Sequence, residues 1–81
     1  MAAFVYVLIS TNKPKRTYVG WTLDLDRRVE QHNGGVGAKF TRGGKWTLIY
    51  AERHRTRNGA MRREVVLKKN RAFRTLLRLQ T

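Results

Sequence analysis

Cysteine is absent from this sequence, which excludes disulfides and thiolate zinc sites and fits a reducing compartment. Proline occurs once, at Pro14, inside a stretch of turn-forming residues. Acidic residues are scarce as well: five Asp and Glu stand against eighteen Lys and Arg, a formal net charge of +13. Long hydrophobic runs are missing too. The longest, residues 4–9, falls far short of the ~20 apolar residues of a membrane span and of a signal-peptide core. The expectation is a soluble, unprocessed chain with no part in a membrane, intracellular and cytoplasmic, and nucleoid-associated if bacterial.

So large an excess of positive charge exceeds what solubility needs and lowers stability through self-repulsion. A polyanionic partner relieves that repulsion. The charge therefore points to nucleic acid, ahead of an anionic membrane surface or a basic protein with no such partner. No protein partner is indicated. The 81 residues fit one domain, 1–81. A chain this short buries only about 60% of its unfolded surface, so the core should be thin. With 41% hydrophobic residues it can still form one.

Residues 4–9 (FVYVLI) are apolar on both faces and rich in β-branched and aromatic types, which predicts a central strand covered on both sides. The stretch STNKPKR, 10–16, is a turn, and TYVGW, 17–21, a second strand. The short connection makes the pair an antiparallel hairpin. A helix follows over 24–32, with Asp24 or Thr22 as its N-cap and Asn33-Gly34-Gly35 as its stop. Residues 34–45, with five glycines and three basic residues, read as a mobile loop. WTLIYAE, 46–52, is a third strand, and helices are expected over 59–69 and 72–79. The predicted fold is α+β: a three-stranded antiparallel sheet flanked by helices in the order ββαβαα.

Polar residues falling within apolar faces are the informative positions. On the 59–69 helix, Ala60, Met61, Val65 and Leu67 share one arc, with Glu64 near its middle and Lys68 within it. A carboxylate facing a core costs several kcal/mol unless it is paired or binds a metal. Glu64 is thus either a metal ligand or the partner of Lys68 at i,i+4. On the 24–32 helix, Leu25 and Val29 define an inner face on which His32 also lies. Arg27 points outward, and Arg28 flanks that face one turn before His32. Each has an ordinary reading, a satisfied core histidine and a snorkelling arginine. Tyr6 shares a strand face with Phe4 and Leu8. Tyr18 stands two residues before Gly20, a position for a bulge or a close backbone approach.

Phe4-Val5-Tyr6 and Tyr18-Val19-Gly20, followed by TLDLDRRVEQHN (22–33), GAKFTRGG (37–44) and AMRREVVLKK (60–69), resemble the motif series of the GIY-YIG nuclease superfamily, in its small stand-alone branch. That superfamily also includes certain homing endonucleases, the N-terminal domain of the bacterial excision-repair incision subunit and the structure-selective subunit of a eukaryotic junction nuclease. The resemblance covers roughly residues 4–78. It implies a divalent-metal-dependent endonuclease with five catalytic positions. Tyr6 and Tyr18 are the tyrosines of the two tripeptides, Arg28 the helix arginine, His32 the residue one turn later, and Glu64 the single metal ligand. Phe4 departs from the family's first glycine, and Asn70 comes too early to be the late asparagine of many members. With no specificity domain expected after the catalytic one, weak sequence preference and a leaning to single-stranded or branched DNA follow.

The implied chemistry has a single Mg²⁺ or Mn²⁺ on Glu64 and a fixed Arg28 cation on the phosphate. One of the two tyrosines takes a proton from water, its pKa lowered by Arg28 and the metal, while His32 relays that proton or holds a tyrosine. The resemblance leaves open which tyrosine it is. Lys39, Arg42 and Lys45 on the glycine-rich loop and Arg71, Arg74 and Arg78 on the last helix read as DNA-backbone contacts. The arginine stripe is otherwise a solvated face. Phe40 is a candidate for base stacking, whereas Trp21 and Trp46 fit the core better. The competing readings are a non-catalytic nucleic-acid-binding module and a nuclease subunit active only with a partner.

Overall fold

The computed structural model describes residues 1–12 and 14–81. Three strands, β1 (Ala3–Ser10), β2 (Thr17–Thr22) and β3 (Trp46–His54), form one sheet in the order β2-β1-β3, both pairings antiparallel. Helices α1 (Leu25–Asn33), α2 (Arg57–Lys69) and α3 (Arg71–Leu79) complete the order ββαβαα. The chain is therefore α+β, as its sequence predicts. The apolar run of residues 4–9 lies in the central strand, where Val5, Tyr6, Val7, Leu8 and Ile9 are all buried. The predicted hairpin turn closes through a hydrogen bond from the Ser10 amide to the Arg16 carbonyl. Lys13 within that turn lies outside the described residues.

Alternation along β1 divides the core into two layers. Ala3, Val5 and Val7 join Val19 beneath Ala60 and Leu67 of α2, with Phe73 and Leu77 of α3 at the margin. On the other face Tyr6 and Leu8 pack with Trp46, Tyr18 and the Leu25 and Val29 side chains of α1. A register shift between Val7 and Leu8 turns both Ile49 and Tyr50 toward the first layer, which strict alternation would forbid.

Capping side chains place the helix starts. Asp24 accepts the Arg27 amide at 3.1 Å, Thr56 the Gly59 amide at 3.0 Å, and Asn70 the Phe73 amide at 3.1 Å. Consequently α2 begins at Arg57, two residues before the expected Gly59. The inward arc of α2 also differs from the expected one. Ala60 and Leu67 are buried and Arg63 and Glu64 half-buried, whereas Met61 and Val65 are 44% and 47% exposed. Helical geometry puts residues 60, 63, 64 and 67 on one stripe. Met61 and Val65 were drawn toward the core by their hydrophobicity rather than by their position. Glu64 keeps its inward place, while Lys68 reaches out to solvent.

Arg63 has a clear role on that stripe. Its Nε donates to both carboxylate oxygens of Glu52 at 3.0 and 3.1 Å, and its Nη2 donates at 3.0 Å. The Tyr50 hydroxyl donates to the same carboxylate, and His54 Nε2 lies 3.0 Å from it. Burial raises the Glu52 pKa, but the hydrogen bonds from Arg63, Tyr50 and His54 together with the Arg63 charge outweigh it and hold the group at about 2, against an ordinary 4.5. A depressed carboxylate stabilises the fold above its unfolded pKa. That contribution is lost as pH falls from about 4.5 toward about 2. Glu52→Gln should therefore lower stability at pH 7 by roughly 2–3 kcal/mol and flatten the acid limb of a denaturant-derived stability curve. An unchanged curve would show that the cluster contributes nothing.

Candidate active site

The site lies on the α1 face of the sheet and begins with a close approach. Gly20 faces Tyr6 across the β1–β2 ladder. A Cβ at Gly20 would sit 2.6 Å from the Tyr6 hydroxyl and 3.0 Å from the Tyr18 ring, so only glycine lets the tyrosine lie across the strand. Tyr6 and Tyr18 stand 6.3 Å apart by ring centroids. His32, projecting from the inner stripe of α1, lies 5.8 Å from Tyr6 and 4.9 Å from Tyr18.

Hydrogen bonds fix the direction of this cluster. The Thr41 hydroxyl donates to the Ala38 carbonyl at 2.9 Å, so it can only accept from His32 Nδ1, 2.7 Å away. The proton thus resides on Nδ1 and the lone pair on Nε2. The Tyr6 hydroxyl, 2.7 Å from Nε2, is the donor. The chain runs Tyr6 to His32 to Thr41 to the Ala38 carbonyl, with every donor and acceptor assigned.

Residues 34–45 supply that anchor and form the expected loop, part of it fixed by specific contacts. A short 3₁₀ helix spans Lys39–Thr41, and Thr41 is fully buried. The Trp46 indole donates to the Thr41 carbonyl at 3.0 Å, and Asn33 bonds both backbone groups of Trp46. Gly37 lies so close to His32 that a Cβ there would stand 2.5 Å from Nδ1. Thr41 and Gly37 were missed as site residues because glycine content alone reads as loop. Their only signal was membership in the block 37–44.

Arg28 is half-buried and held by the Gln31 side chain at 3.0 Å, whereas Arg27 is exposed, as expected. Its charge acts on both Tyr6 and His32. Burial, reinforced by Arg28, holds the His32 imidazole down at about 4, against an ordinary 6.5. Burial pushes the Tyr6 phenol up to about 12, and Tyr18 and Glu64 add to the rise. Arg28 lowers the Tyr6 pKa, the direction expected of it, but desolvation outweighs that one cation.

A histidine buried neutral makes folding sensitive to acid. Because the unfolded chain binds the proton more tightly, stability falls as pH drops from about 6.5 toward about 4, by up to roughly 3 kcal/mol. His32→Gln should remove the pH dependence in that window. If the variant kept the wild-type acid slope there, the slope would belong to other groups.

Glu64 approaches from α2, which packs on β1 and β2, and its side chain is 18% exposed. Lys68 Nζ stands 3.6 Å from its Oε1, beyond hydrogen-bonding reach. Tyr6, Tyr18, Arg28 and His32 thus meet on the α1 face, and Glu64, on the helix that packs against the other layer, is near enough for its charge to act on Tyr6. The six basic residues fall elsewhere. Lys39, Arg42 and Lys45 are exposed around the 3₁₀ turn, while Arg71, Arg74 and Arg78 line a cleft on α3. Trp46 is a core residue, Trp21 packs at the margin of the first layer, and Phe40 is half-exposed. Among the described residues no helix is long and apolar enough to cross a membrane.

The sequence matches the GIY-YIG catalytic domain over residues 2–76. It is 43% identical over 65 residues to a UPF0213 protein of Clostridium perfringens, covering 79% of this chain and 70% of that one. A UPF0213 protein of Natronomonas pharaonis is 39% identical over 69 residues, covering 84% and 81%. The solution NMR structure of a UPF0213 protein from Bacillus halodurans superposes with a TM-score of 0.54 at 36% identity, over 98% of this chain and 85% of that one.

Proposed function

The chain belongs to the GIY-YIG catalytic-domain family, and from that premise we propose that it is a divalent-metal-dependent endonuclease hydrolysing DNA phosphodiester bonds. The observation that carries this reading is the Tyr6–His32 hydrogen bond, directed by Thr41, with Arg28 hydrogen-bonded to Tyr6 and the Glu64 charge acting on it. A pure binding module gains nothing from a buried tyrosine aimed at a neutral histidine.

The donor set fits one hard cation held loosely. Glu64 keeps carboxylate lone pairs available, since Lys68 is too distant to hydrogen-bond it. Among the described residues no three His, Cys, Asp or Glu cluster together. Glu64 alone would hold the ion, which suits Mg²⁺ or Mn²⁺ retaining most of its water and completing its shell with phosphate. Once bound, such an ion neutralises phosphate charge and eases departure of the 3′-oxygen.

The protein's own groups do the rest. Arg28 cannot deprotonate, so it presents a permanent cation to a non-bridging oxygen. Tyr6 is held by burial as a neutral phenol hydrogen-bonded to His32. As a neutral phenol it accepts the proton of the attacking water while passing its own to His32 Nε2. Negative charge growing on the phosphate favours the imidazolium that results. Thr41 holds the imidazole in the tautomer this transfer needs, and Tyr18 orients the water against Tyr6. Lys39, Arg42, Lys45, Arg71, Arg74 and Arg78 contact backbone phosphates, which positions substrate without reading its sequence.

Incubating the purified protein with labelled single-stranded, duplex and branched DNA tests the reading. Cleavage with Mg²⁺ or Mn²⁺, absence of cleavage in EDTA, and a preference for single-stranded or branched substrates are expected. No cleavage of any substrate, combined with tight binding, would leave a nucleic-acid-binding module or a subunit that needs a partner.

A further inference from the structure

Five cationic side chains converge where the β1–β2 turn meets α3. Lys15 and Arg16 from the turn and Arg71, Arg74 and Arg78 from the helix line one cleft of about 270 Å³ whose described lining includes no carboxylate. Such a gathering is repulsive unless an anion occupies it. Arg74 is its fixed centre. Its Nη2 donates to the Lys68 carbonyl at 2.9 Å, and its buried Nε–H has no hydrogen-bond partner among the described residues. Lys15 Nζ donates to a Thr81 oxygen at 3.1 Å, so the turn and the end of α3 are tied across the cleft.

The cleft is continuous with the catalytic region. Arg74 also walls a neighbouring groove lined by Thr17, Tyr18, Val19, Phe40 and Lys68. Within it Phe40 is 49% exposed, stacks on Tyr18 at 6.2 Å and 25°, and carries the Arg16 guanidinium 4.9 Å above its ring. Tyr18 in turn contacts His32. A path thus runs from the catalytic cluster over an aromatic platform to a multivalent cation seat.

We propose that this cleft is a phosphate seat for a single nucleic-acid strand leaving the catalytic centre past Tyr18, with one base resting on Phe40. The proposal deepens the nuclease reading and rests on it for the identity of the strand. Tyr18 stacks on Phe40 and the exposed Arg16 guanidinium lies over the Phe40 ring, so an unpaired base stacks there by taking the place of that guanidinium. A rigid duplex cannot present a base to Phe40.

Binding of a fluorescent single strand and of a duplex across a salt series, measured in EDTA so that nothing is cut, tests the seat apart from catalysis. Expected results are a tenfold or greater loss of single-strand affinity in Arg71→Ala/Arg78→Ala, a smaller loss on duplex, and a shallower dependence of log affinity on log salt. Phe40→Leu should weaken single-strand binding without changing the salt slope. Inorganic phosphate should shift the amide resonances of α3 and the β1–β2 turn. Unchanged affinity and slope in the double variant, with a wild-type melting temperature, would overturn the seat even if the protein cuts DNA. Equal losses on single strand and duplex would overturn its preference for a single strand. Phosphate-induced shifts without loss of oligonucleotide binding would mark a free-anion site and overturn the strand. Should the protein cut nothing, the loss of single-strand binding would still establish the seat.

Discussion

Glu64→Gln is expected to abolish cleavage while leaving the fold and nucleic-acid binding in place. The carboxylate sits on the inner stripe of α2 beside Ala60 and Leu67, its charge felt at Tyr6, and Lys68 forms a long ion pair with it at 3.6 Å. An amide of the same shape preserves packing but cannot anchor a divalent ion. Losing the ion removes several kcal/mol of transition-state charge stabilisation, on the order of 10³-fold or more in rate. The fold should survive, because the ion pair with Lys68 is long and half-exposed, and such pairs contribute at most about 1 kcal/mol. Cleavage assays and thermal denaturation of the same preparation separate the possibilities. Full activity with a clear drop in melting temperature would reassign Glu64 to a structural pair with Lys68.

The second large effect discriminates between neighbours. Arg28→Ala should cost on the order of 10²-fold or more in cleavage, as removal of a fixed transition-state donor does. Arg27→Ala should cost little beyond weaker binding. Arg28 is half-buried, held by Gln31, and close enough to influence both Tyr6 and His32, whereas Arg27 faces solvent. Single-turnover rates at saturating enzyme isolate the chemical step from binding. Equal, small losses in both variants would make Arg28 a phosphate-binding surface residue.

Much of this architecture was legible in the sequence, because it follows from local pattern. The double-faced apolar run of residues 4–9 placed the central strand, Asp24 and Asn33-Gly34-Gly35 bounded α1, and helical periodicity set His32 and Arg28 on their faces. Glu64 was visible as a charge on an inward stripe. What escaped depends on partners distant along the chain. Tyr6 titrates as it does because Tyr18, the inner face of α1 and Trp46 bury it from later in the chain, and no local pattern encodes that desolvation. The loop around Thr41 is ordered by His32, Asn33 and Trp46, contacts that its glycine content conceals. Met61 and Val65 misled because hydrophobicity was weighed above angular position, and a 13-residue helix on a small sheet leaves such side chains outside. The pairing of Lys15 and Arg16 with α3 needed the tertiary fold, since they lie more than fifty residues apart in sequence.

On the proposed mechanism this one chain directs a water molecule onto a phosphodiester. Mass spectrometry of the products formed from a single-stranded oligonucleotide by the purified protein with Mg²⁺ in ¹⁸O-enriched water tests it most directly. Water attack on phosphorus with departure of the 3′-oxygen predicts one ¹⁸O in the new 5′-phosphate and none in the new 3′-hydroxyl. The label should be absent with EDTA and with Glu64→Gln. Uncut oligonucleotide in Mg²⁺ or Mn²⁺, or label appearing on the upstream fragment that ends in the new 3′ terminus, would show that no such hydrolysis occurs.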